Sequence, residues 1–253
     1  IALGLREDYL AIATLGIAEI IVTVMRNEDW LARGVKNLID LPRPWPVPKE
    51  VDLQATPAFV DRVTGMGLDP VTSSTILVKL LYAGLFGIVL VLLVWGCERA
   101  LNSPWGRMVR AIRDNEISSA AMGKDVKFRH LQIFIIGSAV VGLAGAMMTS
   151  MEGQLTPPSY LPLRFTFLIW VMVIVGGSGN NWGSILGGLL IGWLYLAVEF
   201  LGPQMMQIIT AGLPAGALKD HLQDTAAHMR LLTLGVVLLV VLRFAPKGLI
   251  PEK

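Results

Sequence analysis

Apolar residues along this chain fall into runs of membrane length, and polar residues collect between them. Ile76–Trp95, Leu131–Met151 and Ser184–Leu201 are each close to the length that a helix needs to cross a hydrocarbon core, about 20 apolar residues. Lys79 lies near one end of the first run, where its stem can snorkel. Tyr9–Met25 is apolar apart from Glu19, and Leu231–Phe244 is a shorter run that extends backward through Arg230 and His228. This pattern predicts an all-α, polytopic bundle of membrane-spanning helices.

One stretch breaks the pattern inside the apolar part. Phe165–Val175 is too short to span alone, and Gly-Gly-Ser-Gly-Asn-Asn-Trp-Gly-Ser follows it before the next apolar run. Two readings stand. Irregular backbone at membrane depth is tolerated where it lines a water-filled path, and broken helices mark such paths. Gly176, Gly177 and Gly179 then present bare backbone to the path, with Thr14 and Asn180 adding polar contacts. Alternatively, the same residues make a plain turn between two helices at the membrane surface. Small residues also recur at every fourth position, as Ser138, Gly142 and Ala146 and as Ser184, Gly188 and Gly192. Such stripes let helix backbones approach closely in lipid, so they predict tight neighbours, within the chain or in a partner.

The other departure is a polar island at residues 104–130, between two spans. Pro104 can open a helix that Ser103 caps. Continued helically, Val109, Ile112, Glu116, Ala120 and Gly123 share one face, with Gly123 as the stop and Lys124, Lys127 and Arg129 following. Two readings stand here as well: a helix presented to a groove on a partner, or a helix lying among lipid headgroups.

Composition agrees with a membrane protein. Charged residues make up 16% of the chain, against about 25% in soluble domains, and mean hydropathy is +0.62. The net charge of +2 gives no reason to expect nucleic acid. The single cysteine, Cys97, excludes an internal disulfide and a multi-cysteine metal site and reads as a packing residue. No histidine spacing suggests a metal, and no catalytic constellation stands out. The chain opens Ile-Ala-Leu-Gly without a basic leader, so a fragment lacking upstream spans is expected.

Positive residues assign the sides. Arg99, Arg107, Arg110, Arg113, Lys124, Lys127 and Arg129 put the island in the cytoplasm, and Arg243 and Lys247 put the C-terminus there too. By parity, the proline-rich connector at residues 26–75 is external, and its Pro-rich part is expected to be extended. Glu19 lies within a span, where it either meets substrate or fixes a helix end or a neighbouring chain.

The island also resembles the cytoplasmic coupling loop of permeases of branched-chain amino-acid ABC importers. Gly106, Arg107, Arg110, Ala111, Ile112, Arg113, Asn115, Glu116, Ala120, Ala121 and Gly123 fall on that family's pattern, while Ser118, Ser119 and Lys124 depart from it. Leu5–Ile21, Met172–Gly192 and the C-terminal Pro-Lys-Gly-Leu-Ile-Pro resemble further family segments in the right order. The resemblance implies a single permease domain over residues 1–253 in a bacterial inner membrane. It implies as partners a second similar permease, two ATP-hydrolysing subunits, an external solute-binding protein and membrane lipid. It further implies that Arg107, Ile112, Arg113, Glu116, Ala120 and Gly123, with Val109 of the shared helix face, couple the chain to an ATPase, and Glu19 matches a glutamate of the family. The chain has no Gly-x-x-x-x-Gly-Lys-Ser/Thr phosphate loop, so it needs no cofactor of its own and ATP belongs to a partner. The rivals are a permease for urea, short amides or another small solute, a stand-alone carrier or channel, and a membrane-embedded enzyme.

Overall fold

The computed structural model describes residues 7–32, 38–156, 162–212, 216–225 and 229–251. The chain forms two compact units, Ile1–Ser159 and Tyr160–Lys253. Apart from one two-residue strand pair, the described elements are helical, as expected.

The first unit opens with α1 (Glu7–Asn27), which covers the expected Tyr9–Met25 run, and the short α2 (Asp29–Ala32). Its two long helices are α5 (Pro70–Asn102) and α8 (Val126–Glu152). Asp69 caps α5 by accepting from the Thr72 amide at 2.8 Å, and Asp125 caps α8 by accepting from the Phe128 amide at 3.0 Å. Gly153, at φ +69°, ends α8 in the left-handed conformation that favours glycine.

Two hydrogen bonds set the levels of these helices. The Tyr82 hydroxyl donates to the Ser150 carbonyl at 2.8 Å, and the Trp105 indole, just past the end of α5, donates to Gln132 at 3.1 Å. Residues 82–102 then rise about 30 Å and residues 132–150 about 27 Å, which matches a bilayer core. Between the ties lies an apolar groove of about 340 Å³, bordered by Phe86, Leu90, Leu93, Leu143, Met147 and Met151. The expected span at 76–95 lies within α5, which is long and apolar enough to cross a membrane. Before Tyr82, α5 continues for about 18 Å, and there the connector covers it.

The Pro-rich part of the connector is non-helical, as expected, and helices follow it. Residues 41–49 are irregular, but α3 (Glu50–Ala55) and α4 (Pro57–Gly65) follow, and 70–75 already belong to α5. Val47, Val78 and Tyr82 form its buried cluster, and Gln54 donates to the buried Ser74 hydroxyl at 2.9 Å. The pair β1 (Leu38–Ile39) and β2 (Gln154–Leu155) joins the connector to the end of α8. Arg43 forms an ion pair with Glu50 at 2.5 Å, and its guanidinium stands 5.9 Å from the centre of the Tyr82 ring.

Burial alone pushes the Glu50 carboxyl up, but the hydrogen bond and charge of Arg43 outweigh it, and Glu50 sits below its usual range. A depressed folded-state value means that the ion pair stabilises above the unfolded-state value and loses that contribution as pH falls through the folded one. The thermal midpoint of the purified chain is expected to drop below about pH 4, and Glu50→Gln should shrink that drop. An identical pH profile in the variant would remove this ion pair from the account.

The second unit is built on α9 (Pro162–Gly176), α10 (Asn181–Ile209), α11 (Ala217–Asp224) and α12 (Met229–Phe244). Val171, Val175, Ile191 and Leu234 form its core. Helices α9 and α10 make an antiparallel hairpin whose backbones touch at glycines. A Cβ on Gly176 would fall on the Gly183 carbonyl, and one on Gly187 would fall on the Met172 carbonyl. The close-packing stripe is thus Gly183, Gly187 and Ile191, one residue off the expected Ser184–Gly188–Gly192. Gly188 has nothing within 4 Å of a built Cβ, and neither has Gly142 in the other expected stripe. A spacing of four residues recurs on both faces of α10, so spacing alone cannot choose between them. Helix α10 also runs on through Pro203, past the expected end at Leu201. Its last cap, the buried Thr210, accepts from Gln223 of α11 at 3.3 Å.

Three described helices are long and apolar enough to cross a membrane, Pro70–Asn102, Val126–Glu152 and Asn181–Ile209. Phe165–Gly176 and Leu231–Phe244 are apolar but shorter.

Candidate functional site

The polar island folds as α6 (Pro104–Asp114) and α7 (Glu116–Ala121). Its start agrees with the sequence: Pro104 occupies the first turn and the Ser103 hydroxyl accepts from the Gly106 amide at 3.3 Å. Its end agrees too, since Gly123 has φ +76° just past α7. The middle differs. Asn115 leaves helical geometry at φ −155° and ψ 99°, and its side chain caps α7 by accepting from the Ser118 amide at 2.9 Å. Asparagine competes with helical backbone and is a strong N-cap, so one expected helix becomes two.

That break divides the expected ridge. Val109 is half-buried and Ile112 is only 3% exposed, so both pack inward, whereas Glu116, Ala120 and Gly123 are exposed. The buried Ser119 holds α7 to α6 by donating to the Ala111 carbonyl at 3.1 Å. The apolar side chains that the hairpin does present are Ile117, 83% exposed, and Met122, 79% exposed. Reading the sequence as one helix placed Ile117 off the ridge. The signal that would have found it is Asn115 as a mid-run cap, which restarts the helical phase.

The arginines divide as well. Arg113 pairs with its neighbour Asp114 at 3.3 Å, and both are exposed, so the pair adds little to stability. Arg107 and Arg110 turn back onto the end of α5, where they donate to the carbonyls of Asn102 at 3.2 Å and Leu101 at 2.5 Å. On α8, Arg129 donates to Gln132 at 2.8 Å, the same oxygen that the Trp105 indole reaches.

The glycine-rich segment takes a different form from a bare path lining. Gly176 and Gly177 are buried against protein backbone. The chain after α12 returns to them: the amide of Leu249 donates to the Val175 carbonyl at 2.9 Å, and that of Ile250 to the Gly176 carbonyl at 3.0 Å. Gly177, at φ +117°, lies where a Cβ would meet the Ile250 carbonyl. The tail thus satisfies carbonyls that the end of α9 leaves without helical partners. Asn180 caps α10 by accepting from the Trp182 amide at 3.0 Å, and Gly179 is exposed. The expectation that Gly176 and Gly177 offer free backbone is corrected: residues 177–180 form a capped hairpin turn. Thr14, half-buried, and Glu19, exposed, lie on α1 in the first unit.

Comparison with known proteins adds to this geometry. A family model described as branched-chain amino acid transport system / permease component matches residues 1–242. The chain is 27% identical over 249 residues to a probable branched-chain amino acid transport permease protein LivM of Methanocaldococcus jannaschii, covering 98% of this chain and 61% of that one. It is 30% identical over 192 residues to the high-affinity branched-chain amino acid transport system permease protein LivM of Escherichia coli, covering 75% of this chain and 44% of that one. A D-allose transport system permease protein AlsC of Escherichia coli is 29% identical over 134 residues, which cover 51% of this chain and 40% of that one. The chain therefore spans less than two thirds of the length of these relatives. No solved structure matches.

Proposed function

Since this chain belongs to the family of permease components of branched-chain amino acid transport systems, we propose that it serves as a transmembrane subunit of an ATP-driven importer for branched-chain, hydrophobic amino acids. It works in a bacterial inner membrane beside a second permease, two ATPase subunits and an external solute-binding protein. The observation that carries this reading is the α6–α7 hairpin, a hydrogen-bonded cytoplasmic elbow that presents Ile117 and Met122 to solvent. Two exposed apolar side chains on a braced helix fit an apolar groove on an ATPase. Glu116 lies beside them in the first turn of α7 and adds a charge for a basic partner. Nucleotide-driven closure of the ATPase pair pushes on α7 and switches the permease between outward- and inward-facing states. Substrate then crosses along the spans, with Thr14, Glu19, Gly179 and Asn180 bordering its path.

The test is Glu116→Arg in the assembled transporter. It should lower uptake at least about fivefold, the lower range of coupling between sites, while membrane insertion and thermal midpoint stay at wild-type values because Glu116 is exposed. Gly123→Trp should act likewise, with an added strain of about 1–2 kcal/mol from its left-handed backbone. Wild-type uptake in Glu116→Arg would sink the docking role.

A further inference from the structure

The α5–α6 elbow is fastened more heavily than a turn between two helices requires. Ser103 serves both helices at once: its hydroxyl donates to the Ala100 carbonyl at 2.7 Å and accepts from the Gly106 amide at 3.3 Å. Gly106 is buried so tightly that a Cβ would come within 2.4 Å of the Ala100 and Leu101 carbonyl oxygens and 2.5 Å of the Leu101 Cα. Arg107 and Arg110, one turn apart on α6, each donate to a last-turn carbonyl of α5, on Asn102 and Leu101. These carbonyls have no partner within α5 and sit at the negative end of its dipole, where a guanidinium is favoured. Charge-assisted bonds of this kind are about twice as strong as neutral ones. Beyond the elbow, Ser119 binds α7 to α6 and Trp105 binds α6 to α8.

We infer that Gly106, Arg107 and Arg110 are positioning residues that clamp the C-terminal end of α5 to α6, so that α5, α6 and α7 move as one lever. Arg107 thereby acts within the chain and not on the partner. The lever rests on the reading of α7 as the ATPase contact; the clamp does not. Without the clamp, α6 would swing on Ser103, and motion imposed at α7 would be absorbed at the elbow before it reached the membrane span. Gly106 permits the close approach and the two guanidiniums hold it.

Two measurements separate the clamp from the lever. The first uses the full permease chain in detergent, with spin labels on the native Cys97 of α5, which is exposed, and on Ala121→Cys of α7, also exposed. The label–label distance distribution should be narrow, should broaden in Arg107→Ala/Arg110→Ala, and should narrow again in Arg107→Lys/Arg110→Lys, which restores a cationic donor. An equally narrow distribution in the alanine variant overturns the clamp whether or not the chain transports anything. The second measures uptake and ATP hydrolysis together in the assembled transporter. The alanine variant should keep its ATPase subunits and basal hydrolysis while uptake per ATP falls about tenfold, within the span of known coupling between sites. Unchanged uptake per ATP overturns the lever, and loss of the ATPase subunits would instead place these arginines in the partner interface and overturn the assignment. Wild-type uptake that ignores ATP would fail the proposed function, not the clamp. Should the alanine pair fold poorly, the single Arg110→Met serves in both measurements with the same outcomes.

Discussion

Gly187→Leu is expected to break the second unit, while Gly188→Leu next to it is expected to be tolerated. At Gly187 a Cβ would come within 1.9 Å of the Met172 carbonyl oxygen and 2.8 Å of the Gly176 amide, and both obstacles are backbone. No rotamer change relieves that clash, so α9 and α10 must separate and the Val171, Val175, Ile191 and Leu234 core must loosen with them. Overpacking costs typically about 1–3 kcal/mol, and rigid backbone on both sides puts this case at the top of that range. The thermal midpoint should fall by roughly 6–12 °C. Gly188, with nothing within 4 Å of its own Cβ, should shift the midpoint by no more than about 1–2 °C. The contrast is read in one melting experiment on two purified variants. Equal losses at the two positions would refute the register of the hairpin.

The second large effect is on assembly. Ile117→Asp combined with Met122→Asp should leave the fold intact, since these side chains are 83% and 79% exposed and bury almost nothing in the chain itself. Against an ATPase groove, however, two carboxylates would be desolvated in place of two apolar anchors. Losing a buried anchor costs about 2 kcal/mol or more, which is a factor of about 30 in affinity per anchor. Co-purified ATPase should fall below detection at an unchanged thermal midpoint, and uptake should vanish with it. Full retention of the ATPase would move the contact elsewhere on the island.

Much of this was legible in the sequence because the deciding signals are local. Ser103 and Pro104 announce the start of α6, Gly123 announces a left-handed stop, and long apolar runs announce α5, α8 and α10. What escaped depends on contacts distant in sequence or on one residue overriding a period. Asn115 broke a helix that apolar spacing continued, which turned Ile112 inward and left Ile117 and Met122 as the exposed pair. The register of the glycine stripe on α10 is chosen by α9, so Gly183 and Gly187 pack where Ser184 and Gly188 fit the spacing equally well. The connector's cover over Ser74 and Val78 at the start of α5 depends on Val47 and Gln54, contacts that apolar counting does not see. The role of the tail at the 177–180 turn rests on bonds from Leu249 and Ile250 to carbonyls more than 70 residues away in sequence. Of the candidate site, the start and end of the helical island were legible, and the break at Asn115 that decides which of its side chains are exposed was not.

The central claim is that α6 and α7 link this membrane unit to an ATPase. Its most direct test is uptake of radiolabelled leucine into proteoliposomes that hold the full transporter, with ATP inside, outside or absent and with a proton gradient as the alternative drive. The account predicts uptake only where ATP reaches the α7 side, and none from the gradient alone. Gradient-driven uptake by this chain without an ATPase would contradict it.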